Sequence, residues 1–529
     1  MINGVNTYSN ANQLKIYHQK PTPQPSLDTP QKTDNNLKKI EPYKASIFYI
    51  ADIHGKMTNM ERIWTVSRNF DNMPVSKDTA KLKLSSGDIL LGSNPMTNQV
   101  ASDFLNWIGV TANALGNHEL DATPAAFSKT LQNANYSLLA VNTEVNPQSE
   151  MYGKIKKSII EEHNGQKYGI IGTAPSDVLE RVGTRESLDD IKVDNVETTI
   201  KKIQDEVNKL EAQGVNKIIL ISHSGKDVDK TIAENTSGLD IILGAHTHDL
   251  YKGVKEKDNL LYSKDGKPVV LTQIGKDGEY AGVLNVEFDD KGYLVKLQNN
   301  VFRTGGFNRT LPMKTAVENI IGKPEVLGKI SYADPAPKHR LIVNNPHGNI
   351  IVDAIKKELD TDIAILNAGN IRGYFTEGEV DSRRINDVTP FEDKMMICSL
   401  TEKQIVDAIK HGGKSFLKTD NKPGILLVSG LNYTMDDKGK LLNLTYIDKA
   451  GVRHSIDVDN PRTDKKYTVG CDDFFAYGGD DYLPVNPNPD YVLKKFDVDK
   501  NVYTAKYIKE LNTPIEIKDD GRIKIVKAN

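Results

Sequence analysis

Short apolar runs rich in β-branched residues alternate with amphipathic stretches through the first half of the chain. The runs SIFYI, AKLKL, TANAL, NKIILI and LDIIL predict buried strands, because each is rich in apolar residues and has a Gly, Asp or Ser within the next two positions. Between them, NMERIWTVSRNF, NQVASDFLNWIGV and NVETTIKKIQDEVNKLEAQG have the spacing of helices. Strand-rich sequence follows from Lys267 to Val301. This alternation predicts a layered α/β sandwich.

The pattern divides the chain into four segments. Residues 1–42 are rich in Asn, Gln, Pro, Lys and Thr, and they predict a disordered arm because they offer little apolar surface to bury. Residues 43–310 carry the alternation described above. In residues 311–338, KTAVENIIGKPEVLGKI predicts helical pieces interrupted by Gly and Pro, and DPAPK is typical of a linker or hinge. Residues 339–529 predict a second α/β domain.

The amino-acid composition and net charge limit which kinds of molecule the protein is expected to bind. The 529 residues have a formal net charge of −3, with 38% hydrophobic and 26% charged residues. This balance indicates a globular protein without the positive field that attracts a nucleic acid polymer or an anionic membrane. The two cysteines, Cys398 and Cys471, are too few for a disulfide framework or a Cys-based zinc site, so we expect buried unpaired thiols.

The start of the chain and its hydropathy bear on localisation. MINGVNTYSNANQLKIYHQK lacks the charged start and apolar core of a secretory signal. No stretch approaches the roughly 18 consecutive apolar residues of a membrane helix. On these grounds we expect a cytoplasmic protein without a membrane span. The sequence does not specify an oligomeric state.

Polar residues with metal-binding chemistry follow each predicted strand of the first domain. Because the carboxyl ends of neighbouring strands form the ligand-binding edge of an open α/β sheet, these residues should gather. Single Asp or His residues at strand ends are usually caps or core residues, but this interpretation does not account for five such strand ends together. The residues are Asp52 and His54 in DIHG, Asp88 in SSGD, Asn117 in LGNHELD, His223 in ISHSG, and His246 and His248 in GAHTH.

These side chains predict a centre for two divalent metal ions. Such a centre needs hard or borderline ligands, one of which bridges, together with neutral imidazoles. Asp88 is the candidate bridge, and Asn117 offers a carbonyl oxygen. His118 and Asp121 in LGNHELD form a candidate catalytic pair, in which the carboxylate orients the imidazole and favours its cation. Asp121 could instead cap the following helix, and we expect Glu119 to be structural.

The second domain carries side chains suited to a nucleotide. Arg372 in NAGNIRG can pair with a phosphate or carboxylate. Phe391 in TPFED and Phe474 in FFAYGGDDY can stack on a nucleobase, while Asp480 suits a ribose diol. Taken singly, these residues are more often structural.

The ordered motifs D-x-H, G-D, G-N-H-E, H and G-x-H-x-H resemble those of the calcineurin-like metallophosphoesterases. With LGNHELD and the companion domain, residues 45–525 resemble the 5′-nucleotidase family. The resemblance implies a four-layer α/β/β/α metallophosphoesterase sandwich followed by an α/β substrate-binding domain. One metal would be held by Asp52, His54, Asp88 and His248, and the other by Asp88, Asn117, His223 and His246. The ions would be Zn, Mn, Co or Fe, and His118 with Asp121 would form the catalytic dyad.

The same resemblance implies a substrate and a reaction. Arg340, Asn367, Arg372, Phe391, Phe474 and Asp480 would bind a nucleoside 5′-phosphate, and metal-bound hydroxide would release phosphate from it. UDP-sugars and 2′,3′-cyclic nucleotides are further candidates. The alternatives are the same metal chemistry on another ester, as in a thiosulfohydrolase or a general phosphodiesterase, and a binding protein without turnover. A largely exported family also makes a periplasmic or extracellular location the alternative to the cytoplasm.

The chain departs from the family pattern at several positions of the second domain. Ala368 and Asn370 stand where the family motif N-G-G-G-I-R has glycines. Glu392 replaces the usual Gly after P-F and is followed by Asp393. These changes leave the metal ligands intact, but they affect the region that is expected to contact the base and the phosphates.

Overall fold

The computed structural model describes residues 14–15, 42–178, 189–419, 421–486, 488–512 and 514–528. They belong to two compact units that divide between Gly322 and Lys323. Both units combine strands with helices, as the α/β prediction requires. Within the predicted N-terminal arm, the strand Leu14–Lys15 and residue 42 are described, and the rest of the arm lies outside the described residues.

The first unit contains the alternating strands and helices that the apolar pattern predicts. Its strands are β1 (Leu14–Lys15), β2 (Tyr43–Ile50), β3 (Thr79–Ser85), β4 (Ala112–Ala114), β5 (Ser137–Leu139), β6 (Thr143–Val145), β7 (Ile155–Lys156), β8 (Ser158–His163), β9 (Gln166–Thr173), β10 (Ile191–Val193), β11 (Ile218–Ser222), β12 (Ile241–Leu243), β13 (Leu260–Tyr262), β14 (Pro268–Thr272), β15 (Tyr280–Phe288) and β16 (Leu294–Arg303). Its helices are α1 (Met57–Asp71), α2 (Pro95–Ile108), α3 (Pro124–Thr130), α4 (Val196–Glu211), α5 (Lys226–Asn235) and α6 (Leu311–Ile321).

Two large sheets form the centre of the first unit. The strand order of one is β1-β16-β15-β2-β3-β4-β5-β7, and that of the other is β13-β14-β12-β11-β9-β8. Strands β2, β3 and β4 are parallel neighbours in the first sheet, as are β11 and β12 in the second. The residues that follow these strands therefore emerge at the carboxyl-terminal edge of each sheet.

Successive side chains of a strand point to opposite faces of the sheet, so the apolar residues of each strand contribute to two different cores. In β2, Ile47 and Tyr49 join the core between the two sheets, whereas Phe48 and Ile50 join the core shared with α1, α2 and α6. On the opposite side, apolar residues of β11 pack with those of α4 and α5. Helices thus cover both outer faces of the paired sheets, which confirms the four-layer α/β/β/α sandwich.

The second unit is a smaller α/β domain. Its strands are β17 (Val326–Ala333), β18 (Ile363–Asn367), β19 (Gly378–Asp381), β20 (Lys394–Thr401), β21 (Leu426–Ser429), β22 (Leu431–Asp436), β23 (Leu441–Ile447), β24 (Arg453–Ile456), β25 (Lys466–Asp472), β26 (Val492–Asp499), β27 (Ile515–Ile517) and β28 (Ile523–Val526). Its helices are α7 (Pro346–Leu359), α8 (Ser382–Val388), α9 (Glu402–Gly413), α10 (Asp473–Ala476) and α11 (Lys500–Leu511).

A five-stranded sheet of order β21-β18-β25-β20-β26 lies in the core of this unit. Cys398 on β20 and Cys471 on β25 are both buried and free, as expected. Their sulfur atoms lie 3.6 Å apart on adjacent antiparallel strands.

The segment predicted as interrupted helical pieces has one helix and one strand. The helix α6 belongs to the first unit, where Met313 and Val317 are buried. The prediction of a helical piece after Pro324 was wrong, because Val326–Ala333 forms strand β17. This strand pairs with β19 and β27, and its buried Leu327 and Ile330 join the core of the second unit. Pairing with strands distant in sequence here outweighs local helical spacing.

Hydropathy along the helices bears on membrane association. Among the described residues, no helix combines the length and the apolar character that crossing a bilayer requires.

Candidate metal centre and substrate-binding residues

The predicted ligands of the first unit follow the strands as the sequence suggested. In both sheets they lie at the carboxyl ends of parallel strands, which is where ligands bind in α/β folds. Asp52 and His54 follow β2, Asp88 follows β3, Asn117 follows β4, His223 follows β11, and His246 and His248 follow β12.

One group of side chains comprises Asp52, His54 and His248, whose candidate ligand atoms all lie within 4.8 Å of one another. Nε2 of His54 is 3.5 Å from Oδ2 of Asp88. Nε2 of His248 is 3.5 Å from Oδ1 of Asp52. These are the residues that the resemblance assigned to one metal.

A second group comprises Asp88, His223 and His246, again with ligand atoms within 4.8 Å of one another. Nε2 of His223 lies 3.1 Å from Oδ2 of Asp88, the oxygen that also faces His54. Asp88 therefore stands between the two groups, in the position that a bridging carboxylate requires. His118 also falls within 4.8 Å of His54 and Asp88, so distance alone does not separate it from the ligands.

Unsatisfied polar atoms test whether this arrangement fits metal ions. Nε2 of His54, Nε2 of His223 and Oδ1 of Asn117 are buried, and none makes a hydrogen bond to any residue that the structure describes. Buried polar atoms in proteins are nearly always paired, and an unpaired one costs about 1–3 kcal/mol. Three such atoms on predicted ligands fit a site built for cations.

Hydrogen bonds set the orientation of the imidazoles. Nδ1 of His54 lies 3.0 Å from Oδ1 of Asp277, and Nδ1 of His223 lies 2.7 Å from the backbone oxygen of Ser86. A proton on each Nδ1 leaves the lone pair on Nε2, the atom that faces Asp88. Nε2 of His246 is 3.1 Å from Asp177, which leaves Nδ1 of that ring as its candidate ligand atom.

Several predicted ligands have a left-handed backbone, which is unusual for residues other than glycine. The φ angles are 50° for Asp52, 52° for His54, 50° for Asp88, 76° for His246 and 61° for His248. Strain of this kind, when it recurs at neighbouring positions, is typical of functional sites.

The carboxylates give the centre a strong preference for positive charge. Although burial lowers the pKa of His54, its hydrogen bond to Asp277 and the nearby negative charge of Asp88 raise it to about 9. Burial likewise opposes protonation of His223, but the charge of Asp88 raises that pKa to about 10. Burial raises the pKa of Asp88, yet the charges of His223 and His118 hold it well below its ordinary value.

The predicted catalytic pair is formed. Nδ1 of His118 lies 2.7 Å from Oδ2 of Asp121, and the backbone N–H of Gly92 donates to the same oxygen at 2.8 Å. The backbone N–H of His118 donates to Oδ1 of Asp88 at 2.8 Å, which ties this pair to the second group. The side chain of Thr123, not that of Asp121, caps helix α3. Asp121 is therefore engaged with the imidazole.

Glu119 has a structural position. Its carboxylate accepts hydrogen bonds from the backbone N–H groups of Asp88, Ile89 and Gly116, each at 2.9 Å. Burial and the charge of Asp88 raise the pKa of Glu119 to about 7. The side chain thus joins the loop after β3 to the loop after β4.

Gly116 is required by the same close packing. A β-carbon at this position would lie 2.1 Å from Oδ1 of Asp88 and 2.6 Å from Oε2 of Glu119. The glycine in LGNHELD therefore lets the loop approach the central carboxylate.

Sequence reasoning missed the carboxylates that orient the histidines. Asp277 is 223 positions from His54, and Asp177 is 69 positions from His246. Neither belongs to a motif, and no periodic signal connects either to its partner. Asp277 has a φ of 57°, but a backbone angle cannot be read from sequence.

In the second unit, some of the predicted substrate-binding residues contact one another or the same loop. The guanidinium of Arg372 lies 5.1 Å from the ring centroid of Phe391, within cation–π range. Its Nε donates to the backbone oxygen of Gly369 at 2.7 Å, and Arg340 donates to that of Ala368 at 3.3 Å. Arg340 and Arg372 thus both contact the NAGNIRG loop.

The other predicted residues are Asn367 at the end of β18, Phe474 in α10 and Asp480 shortly after α10. Asn367 is buried, and its Oδ1 makes no hydrogen bond within the described part of the chain. Phe474, at the start of α10, packs so closely on Gly479 that a β-carbon there would lie 2.6 Å from the ring. Asp480 follows with a left-handed φ of 53° and an exposed side chain.

Comparisons with known proteins agree with the division of the chain into two units. The family model for calcineurin-like phosphoesterases matches residues 45–250, and that for the 5′-nucleotidase C-terminal domain matches residues 326–485. The 5′-nucleotidase of Mus musculus is 26% identical over 466 residues, which cover 80% of this chain and 78% of that protein. The trifunctional nucleotide phosphoesterase of Bacillus subtilis is 25% identical over 547 residues. That alignment covers 91% of this chain but only 35% of the longer protein.

A solved structure shows the same fold. The crystal structure of the 5′-nucleotidase precursor from Thermus thermophilus matches with a TM-score of 0.74 at 22% identity. The match covers 92% of this chain and 100% of that one. With a family model matching each unit and 5′-nucleotidases among its relatives, the chain belongs to the 5′-nucleotidase family of calcineurin-like metallophosphoesterases, which are phosphoester hydrolases.

Proposed function

We propose that this protein hydrolyses nucleoside 5′-phosphates to nucleoside and phosphate, with two divalent cations in the first unit. The observation that carries the proposal is the meeting of two His/Asp groups at Asp88. The unpaired atoms of His54, His223 and Asn117 support it, because each lies on a predicted ligand. The cations would be Zn, Mn, Co or Fe, since all of these accept mixed nitrogen and oxygen ligands.

In this proposal, the two groups hold one cation each. Asp52, His54 and His248 hold one cation, Asn117, His223 and His246 hold the other, and Asp88 serves both. When bound, the cations polarise the phosphoryl group and lower the pKa of the water that attacks phosphorus.

His118 acts on the substrate, not as a ligand. With its Nδ1 held by Asp121, the other ring nitrogen is left to donate to a phosphoryl or leaving-group oxygen. The negative charge of Asp121 stabilises the imidazolium that performs this donation. Gly92 donates to the same carboxylate oxygen, so the orientation of Asp121 is itself supported by backbone.

The second unit supplies recognition of the nucleoside. Phe391 and Phe474 stack on the base, Asp480 accepts from the ribose hydroxyls, and Arg340, Asn367 and Arg372 bind polar groups of the substrate. The pairing of Arg372 with the face of Phe391 supports this assignment, because it brings a phosphate-binding cation beside a stacking ring.

Phosphate release tests the proposal. Metal-stripped protein is assayed with AMP, UMP, ATP, UDP-glucose and 2′,3′-cyclic AMP before and after addition of zinc, manganese, cobalt or ferrous iron. We expect metal-restored release of phosphate from nucleoside 5′-monophosphates. Cleavage of 4-nitrophenyl phosphate or bis-(4-nitrophenyl) phosphate without cleavage of any nucleotide would exclude the nucleotide assignment and favour the same chemistry on another ester. Release that does not depend on metal would refute the assignment of the centre.

A further inference from the structure

Buried and partly buried polar residues connect the segments of the second unit that carry Arg372, Phe391 and Phe474. They come from the loop after β18, the loop before β20, the end of β25 and the start of α11. We call this set the polar junction. Its members are Asn370, Thr389, Asp393, Asp472 and Lys500.

Asn370 is the centre of the polar junction. Its Nδ2 donates to Oδ2 of Asp393 at 2.9 Å and to Oδ2 of Asp472 at 3.2 Å. Its Oδ1 accepts from the hydroxyl of Thr389 at 2.6 Å. One amide therefore joins the loop of Arg372 to the two segments that carry the phenylalanines.

Lys500 supplies the positive charge of the junction. Its side chain is fully buried, and its Nζ lies 2.7 Å from Oδ2 of Asp393. The same Nζ donates to the backbone oxygen of Phe391. The buried ammonium of Lys500 thus neutralises the charge of Asp393 and fixes the backbone position of Phe391.

Asp472 completes the connection toward Phe474. Its Oδ1 accepts from the backbone N–H of Phe475 at 2.8 Å, and so it caps α10, the helix that carries Phe474. Burial, together with the charge of Asp393, raises the pKa of Asp472 well above its ordinary range. Asp393, at 2.7 Å, is therefore the nearest charged partner of Lys500, whose Nζ also lies 3.9 Å from Oδ2 of Asp499.

The junction depends on one residue that departs from the family pattern and on the neighbour of another such residue. Asn370 stands where the motif N-G-G-G-I-R has glycine, and Asp393 follows the replaced glycine after P-F. A glycine at position 370 could make none of the three side-chain hydrogen bonds. Asn370 and Asp393 contact each other, and the charge of Asp393 is paired with that of Lys500.

We propose that Asn370 and Lys500 are positioning residues that set the spacing of Phe391 and Phe474 and thereby the affinity for the nucleobase. This inference rests on the proposed function, since it assumes that the two rings stack on a base. The polar junction acts through the backbone of Phe391 and the cap of α10, and it does not touch the substrate. Disrupting the polar junction should therefore raise KM for nucleotides and leave KM for small phosphate esters unchanged.

The test compares Asn370→Gly and Lys500→Met with Lys509→Met in the full-length, metal-loaded protein. Lys509 lies on the same helix, and its exposed side chain pairs with Glu325. The constants KM and kcat are measured for whichever of AMP and UMP the parent cleaves faster, and for 4-nitrophenyl phosphate. We expect KM for the nucleotide to rise about tenfold in both junction variants, as for loss of one buried hydrogen bond, with kcat nearly unchanged. The constants for 4-nitrophenyl phosphate, and all constants of Lys509→Met, should match the parent.

Melting temperatures separate positioning from folding. Lys500→Met removes the ammonium that pairs with Asp393 and can destabilise the unit, whereas Asn370→Gly keeps the pair of Lys500 with Asp393 intact. An unchanged nucleotide KM in folded Asn370→Gly would overturn the inference. Equal losses for nucleotide and 4-nitrophenyl phosphate would also overturn it, because they indicate a structural role only. If the parent itself cleaves no nucleotide, the proposed function fails and this inference fails with it.

Discussion

Replacing Asp277 with asparagine should weaken one cation site and leave the other nearly unchanged. Oδ1 of Asp277 lies 3.0 Å from Nδ1 of His54, and the side chain is 27% exposed. The carboxylate fixes the proton on Nδ1 and makes Nε2 a stronger ligand. Asparagine keeps an acceptor but removes the charge. It also tolerates the left-handed φ of 57° better than alanine, which would add backbone strain.

The size of the effect follows from the hydrogen bond. A hydrogen bond to a charged group contributes about 1.5–3 kcal/mol, and partial exposure places this one at the lower end. Loss of about 1.4 kcal/mol corresponds to about a tenfold weaker affinity. That agrees with the roughly 10–100-fold loss of metal affinity when an outer partner of a ligating histidine is removed.

Competition with a chromophoric chelator measures both cation affinities directly, without reference to catalysis. We expect one Kd to rise about tenfold in Asp277→Asn and the other to change by less than about twofold. Glu279→Gln is the matched control, because it removes an exposed negative charge two residues away. Two unchanged affinities in Asp277→Asn would refute the assigned role of Asp277. An equal loss in Glu279→Gln would assign the effect to general electrostatics.

The remaining predictions concern the catalytic pair, the stacking rings and the loop of the metal centre. His118→Ala should keep two cations per chain, while kcat should fall by about 10²–10⁴-fold, the usual contribution of a general acid. Metal analysis measures the cation content, and steady-state kinetics measure kcat. Unchanged turnover would show that His118 has no catalytic role. Phe474→Ala should raise KM for nucleotides about tenfold, since stacking contributes about 1–3 kcal/mol per base, and an equal rise for 4-nitrophenyl phosphate would rule out stacking. Gly116→Ala places a β-carbon 2.1 Å from Oδ1 of Asp88 and should lower both the melting temperature and the cation content, because the Asp88 loop must move. Normal cation content in Gly116→Ala would show that the loop accommodates the methyl group.

The clustering of the candidate metal ligands was predictable from sequence because these residues follow apolar runs. Parallel neighbours such as β2, β3 and β4 bring their carboxyl ends together, so each ligand needed only the strand before it to be located. The four-layer fold followed from the same runs and from the resemblance. The carboxylates that orient the imidazoles were not predictable, since Asp277 reaches His54 only through tertiary packing across 223 positions.

The second unit was less predictable than the first. The strand Val326–Ala333 was mistaken for a helical piece, because its partners β19 and β27 lie far along the chain. Asn370 was identified as a departure from a family motif, and Asp393 as the residue that follows another departure, Glu392, but Lys500 carried no signal in sequence. A buried lysine becomes recognisable only when the carboxylate beside it is known, and here more than a hundred residues separate the two.

In the proposed centre, the position of Asp88 would link the occupancies of the two cation sites. Oδ2 of Asp88 faces both His54 and His223. A cation bound beside His54 would therefore change the charge and the orientation of the carboxylate that is available to a cation beside His223. Linkage requires this influence to be equal in both directions. Titration with metal should then depart from the curve of two independent sites, and activity should follow the concentration of the doubly loaded form. Scarcity of the cation would therefore inactivate the protein at the concentration at which the weaker of the two sites empties, even while the stronger site stays filled.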